Sequence, residues 1–311
     1  MKISFEKTQH YNLIFFLFSI LFCSCKNKST EKSFIKYDPL IWSAMLAYED
    51  KNFDKSLALF QKAFKLIKDD SSTDIFHAAA AALRIGKDDT AEKLIRSAIS
   101  GTNPSRDYYK NFEGFNEYKS KPFFVKIEKD YDILVRQFYS KLKYPKEIED
   151  EILDMIRKDQ EVRKSSNRND RGKIDSLNID RLIKITNKYG WIKKAWLLLW
   201  HQRGTYRENN YVWNHFRPLI NNEIKSGMIR KSFWAIFDDE HSIQNSQTQI
   251  YGMYQNQYPI QNVETVDDRR NEIGLPPLWY LNKVYDNELP YRYFTEIKDL
   301  ESFMKEYSIK G

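Results

Sequence analysis

The polar side chains with a capacity for chemistry gather in the C-terminal half of the chain. Asp159, Asp239 and Glu240 are carboxylates that could serve as a general acid or base, and His201 is a candidate proton carrier. Gln160, Gln249 and Tyr251 supply hydrogen bonds, while Arg163 and the adjacent Arg269 and Arg270 supply fixed positive charge. Paired arginines can hold a carboxylate or phosphate bidentately. A plainer reading stands beside each of these. Asp159 and Arg163, four residues apart, fit a surface ion pair worth a few tenths of a kcal/mol. A lone His at the end of an apolar segment is usually a hydrogen-bonded structural residue, and arginines facing Asp159 or Asp239 can lock a loop in place. The sequence holds no H-E-x-x-H, G-x-S-x-G, P-loop or G-x-G-x-x-G pattern, which removes the common zinc, serine and nucleotide chemistries. Neither a metal nor a cofactor is expected.

The elements that would position these groups read as helices. Pro145 and Glu147 mark a helix start, after which Ile148, Ile152, Met155, Asp159 and Val162 fall on one stripe. Asp159 therefore projects from an apolar face, where a carboxylate needs a partner, and Arg163 and Gln160 are at hand. A polar loop is expected over 165–173, followed by a helix that Asn178 caps and Gly190 ends. The run 195–200 is apolar on every side and delivers His201 and Gln202 at its end. Further helices carry Trp213, Phe216, Ile220 and Ile224, kinked at Pro218, and then Phe233, Trp234, Ile236 and Phe237 leading into Asp239 and Glu240. Residues 249–278 interrupt this helical run. Tyr251-Gly252 and Tyr258-Pro259 suggest a small hairpin or extended excursion. Asp267 and Asp268 then begin a helical turn from which at most one of Arg269 and Arg270 faces inward. The tail, with Ile297, Leu300, Met304 and Tyr307 at helical spacing, is expected to dock on this same half.

The order of these motifs carries a resemblance. Asp159-Gln160-x-x-Arg163, Gly190-Trp191, His201, Asp239, Gln249-x-Tyr251-Gly252 and Asp268-Arg269-Arg270-x-x-x-Gly274-Leu275 together look like a bacterial family of unknown function. That family is marked by D-Q-x-x-R, Q-H, D-R, Y-G-T-Q and R-R-x-x-x-G-L, and the likeness spans residues 145–285. Trp200, Glu240 and Met253-Tyr254 depart from its polar positions. The resemblance implies a secreted or lipid-anchored protein and supplies no reaction.

The N-terminal half obeys another pattern. Ser56, Leu59, Phe60 and Ala63 recur as Ala91, Leu94, Ile95 and Ala98 at an offset of 35, each copy preceded by an apolar helix. Small residues where paired helices approach and large ones between pairs resemble tetratricopeptide repeats. Two copies are too few to stand alone, so they must stack on the segment C-terminal to them. Asp38 and Pro39 are read as the turn that opens this region. Phe112, Phe115, Phe123, Phe124, Ile127 and Tyr131, in a segment broken near Pro122, are read as its capping core.

Lys2 and Lys7 ahead of an apolar run over 13–22, then Ser24-Cys25, resemble a bacterial lipoprotein signal whose lipidated cysteine becomes the new N-terminus. Both cysteines lie in this region, so a disulfide, thiolate metal site or cysteine nucleophile is not expected in the mature fold. The formal charge of +7 falls to +6 when Lys2, Lys7 and Glu6 are removed, and acidic and basic residues alternate along the helices. That describes a solvated helical surface and not a nucleic-acid partner. The composition, 41% hydrophobic and 30% charged with 10 Gly and 9 Pro, is that of a globular, mainly α chain. The expected order is a signal peptide (1–24), a tether (25–37), a tetratricopeptide-like array (38–140), a second helical domain (145–285) and a C-terminal helix (286–311). The functional expectation is an envelope lipoprotein held to a membrane through Cys25 that binds a protein or peptide. The alternatives are an envelope hydrolase using Asp239 or Glu240 with Arg269, and a purely structural lipoprotein.

Overall fold

The computed structural model describes residues 31–68, 71–164 and 168–309. The chain is mainly α-helical: α1 (Glu31–Glu49), α2 (Phe53–Leu66), α3 (Ser72–Arg84), α4 (Asp88–Thr102), α5 (Arg106–Asn111), α6 (Pro122–Tyr139), α7 (Lys146–Lys164), α8 (Arg168–Tyr189), α9 (Trp196–Trp200), α10 (Tyr211–Ser226), α11 (Ala235–Ser246), α12 (Val266–Glu272), α13 (Leu278–Tyr285) and α14 (Leu300–Glu306). Among the described residues there is no β-sheet, and the expected excursion is a loop with one parallel bridge between Gln249 and Ile260.

Helices α1 to α4 and then α6 pack on one another in chain order, as a helical repeat does. The 35-residue offset explains the contacts. Ala63, Ala91 and Ala98 are fully buried, and the Ser56 hydroxyl donates to the Ala44 carbonyl of α1 at 2.8 Å, so its polar atom costs the close approach nothing. Asn52 and Ser71 cap α2 and α3 through their side chains, which fixes where each helix begins. The all-alanine run 78–82 is sealed. Gly114 lies so close to it that a Cβ there would stand 2.8 Å from the Cβ of Ala80. Phe76, Tyr109, Phe115 and Phe124 close the end of the array with rings 5.3–6.4 Å apart.

A second core joins Ile152 and Met155 of α7, Ile179, Leu182 and Ile185 of α8, Leu198 and Leu199 of α9, Trp213 and Phe216 of α10, and Phe237 of α11. Among the described residues no helix is long and apolar enough to cross a membrane. The signal peptide and Cys25 lie outside the described residues.

Several expectations are corrected. Asp38 and Pro39 do not form a turn, because α1 runs through them from Glu31 and takes up the last residues of the expected tether. Phe34 and Tyr37 are buried there, and Asp38 receives the Arg230 guanidinium at 2.8–3.0 Å, contacts that offset the helix bond lost at proline. Asn178 is interior to α8, which already begins at Arg168. The tail packs on α13, within the expected half, but it also covers α1. Phe303 and Met304 of α14, with Trp279 and Tyr280 of α13, complete the N-terminal core by covering α1, where Trp42 meets Tyr307 at 5.6 Å and Tyr280 at 6.3 Å. The first helix of a repeat array has no preceding pair to bury its outer face, and α13 and α14 take that place.

Candidate functional site

Asp159 emerges from the apolar stripe of α7 as expected, its side chain 1% exposed. Every partner it takes is a side chain. Arg163, one turn on, places one guanidinium nitrogen 2.8 Å from Asp159 Oδ1 and the other 2.7 Å from Asp175 Oδ1 on α8. Gln160 donates its amide to Oδ2 at 2.8 Å. His201, at the C-terminal end of α9, brings Nδ1 to 2.9 Å from Oδ1. Burial alone would raise the Asp159 pKa. The hydrogen bonds from His201 and Gln160, with the charges of His201 and Arg163, outweigh it and hold the carboxyl below its ordinary 3.8. An ionised Asp159 only accepts, so Nδ1 of His201 is the donor in this contact. Nε2 has no hydrogen-bond partner among the described residues and is not sealed from solvent.

Asp159, Asp175 and His201 place possible ligand atoms within 4.8 Å of one another, a spacing that a metal ion could use. The donor set argues for another use. The Arg163 guanidinium already pairs with both carboxylates, and His201 turns Nδ1 onto Asp159 as a donor. As arranged, the cluster orients an imidazole.

The remaining expected residues form a separate network. Asp239 of α11 is fully buried and accepts the backbone N–H groups of Ile250 at 2.6 Å, Tyr251 at 2.8 Å and Met253 at 2.7 Å. Gln249, also fully buried, donates to the carbonyls of Gln255 and Tyr258 at 2.7 Å and accepts from the Tyr254 N–H at 2.6 Å. Arg270 faces inward and donates to the carbonyls of Pro276 at 2.6 Å and Tyr251 at 2.5 Å. Burial lowers its pKa to about 10. Arg269 faces outward, with bonds to the carbonyls of Ile250 at 3.1 Å and Gln261 at 2.5 Å and to Thr265 Oγ1 at 2.8 Å. Burial also lifts the Asp239 pKa, against the pull of the three N–H groups and the Arg270 charge. Tyr251 serves through its backbone. These residues hold loop 249–262 onto α11 and α12, and Asp239 and Arg269 spend their polar atoms on that task.

No hydrogen bond or ion pair joins a member of one network directly to a member of the other among the described residues. Glu240 belongs to neither and takes partners of its own. Its carboxylate accepts the Tyr254 hydroxyl and lies 3.6 Å from Nε of Arg203, whose guanidinium rests 4.6 Å above the Trp200 ring. Sequence reasoning missed Asp175, Arg203 and Tyr254. Reading α8 from Arg168 would have placed Asp175 on a helix facing α7, whereas nothing local marks the other two. No known protein family, no curated protein and no solved structure matches the chain.

Proposed function

We propose that this protein is a lipid-anchored hydrolase of the bacterial cell envelope, with His201 as its general base and acid and Asp159 as the group that orients it. The observation that carries this reading is the Asp159–His201 contact, 2.9 Å at Nδ1, with Nε2 left uncommitted. A carboxylate on Nδ1 fixes the tautomer and stabilises the imidazolium that forms when Nε2 takes a proton from an attacking water. The hydrogen bonds from His201 and Gln160, with the charge of Arg163 beside them, keep Asp159 ionised, and Glu240 pairs with Arg203, which rests on Trp200 at the end of α9. Relative to the sequence expectation, the acid–base role moves from Asp239 to His201. The lipoprotein-like leader and the ordered motifs that resemble the bacterial family support the location and the grouping of Asp159, Gln160, Arg163 and His201.

The test is a screen of the full lipidated protein in detergent against chromogenic acyl, glycosyl and phosphoryl esters. Turnover that falls by about 10²–10⁴-fold in His201→Ala is expected. No turnover of any class, or turnover indifferent to His201→Ala, ends this reading.

A second reading, a protein- or peptide-binding module, is favoured by a different observation. Tyr291, Phe294 and Ile297 are 86%, 87% and 51% exposed on one segment, more apolar surface than a solvated loop needs. Crosslinking in intact envelopes tests it. A discrete adduct lost in the Tyr291→Ala, Phe294→Ala double variant supports binding, and an unchanged pattern counts against it.

A further inference from the structure

An open cleft of about 470 Å³ lies between the start of α3 and the segments 191–196 and 228–233. Trp191, Trp196, Phe233 and Phe34 provide its aromatic surfaces, and Asp74, Lys193 and Ser232 stand among them. The two indoles are partly exposed but held in place. Trp191 meets Phe216 and Phe233 edge to face at 6.2 and 5.9 Å, and Trp196 stacks on Trp200 at 5.8 Å with the rings 5° from parallel. Fixing these rings before a ligand arrives reduces the ordering cost of binding.

The lining narrows the ligand class. A wholly apolar molecule is better matched by the neighbouring cavity of about 230 Å³, walled by Ile35, Pro39, Trp42 and Ile273. A strongly charged ligand would meet groups of both signs in the cleft, Asp74 against Lys193 and an Arg230 already paired with Asp38. What suits rigid indole faces edged by a carboxylate, an ammonium and a hydroxyl is a neutral molecule with one flat C–H face and many hydroxyls. A pyranose is such a molecule, apolar on the face of the ring and hydrogen-bonding around its edge. We propose that this cleft binds a neutral oligosaccharide, with sugar rings on Trp191 and Trp196 and hydroxyls directed to Asp74, Lys193 and Ser232. The proposal does not depend on the chemistry assigned to His201, and its test reads binding and not turnover.

The test uses the full chain in a sugar-free detergent, titrated with cellopentaose and with tetra-N-acetylchitotetraose by calorimetry and tryptophan fluorescence. Saturable binding of at least one probe is expected, weakened about tenfold or more by Trp196→Ala. Asp74→Asn, which leaves every ring in place, is expected to weaken it as well. Neither probe binding at millimolar concentration overturns the proposal, as does binding that survives both substitutions. Saturable binding of a proline-rich peptide in the absence of sugar binding assigns the cleft to another ligand and overturns it as well.

Discussion

Asp159 and Asp239 are both buried carboxylates on helices of the same half of the molecule, and each stands beside arginines. Their partners separate them. Asp239 is satisfied by three backbone N–H groups, and the arginines near it are satisfied by backbone carbonyls. Asp159 is satisfied by side chains, one of which is an imidazole with a nitrogen to spare. A network closed on the main chain fixes the path of a loop. A network closed on side chains can leave one atom poised for another molecule.

The comparison breaks most visibly at Asp239. Asp239→Ala strands three N–H groups and is expected to cost roughly 3–5 kcal/mol in urea unfolding, with early proteolysis within 249–262. A cost below about 1 kcal/mol would mean that the loop is held by other means. Next is Arg270→Met, which keeps the stem but leaves two carbonyls without their donor. About 2–3 kcal/mol is expected by the same measurement, with no effect on any His201-dependent turnover. Smaller again is His201→Gln, expected to change stability by about 1 kcal/mol or less because Arg163 and Gln160 still serve Asp159, while turnover falls steeply. If the stability loss matched that of Asp239→Ala, the imidazole would be structural and the contrast would fail.

Acid sharpens the same contrast with opposite signs. The Asp159 pKa is held below 3.8, so the stability that its ionisation contributes is complete above that value and is lost as pH falls through the lowered one. Asp159→Asn should therefore lie below the parent in urea midpoint at neutral pH and converge with it in strong acid. The Asp239 pKa is raised above 3.8, so its contribution falls as pH rises through that window, and Asp239→Asn should show no such convergence. Parallel curves for Asp159→Asn would contradict the assignment.

Much of the array was legible because its signal is local. A small residue at Ser56 and Ala91 and a large one at Phe60 and Ile95 state the packing in the chain itself. The burial of Asp159 was legible for the same reason, since a stripe can be counted along one helix. The pairing of Asp38 with Arg230, 192 residues apart, and the approach of Asp175 to Arg163 depend on tertiary placement that no local spacing records. The tail shows the limit well. Leu300, Met304 and Tyr307 announce an amphipathic helix, but an apolar face does not say which surface it will cover, and α1 had the larger need.

That coverage of α1 has a consequence for the order of folding. The first described helix is covered by Tyr280, Phe303 and Tyr307, residues far along the chain from it. The N-terminal core cannot close until those distant residues have been made and have returned to it. Trp42 and its neighbours must wait with their outer face uncovered, a long-range dependence that slows folding and invites premature association. A chain ended before Leu278 would carry that uncovered face permanently.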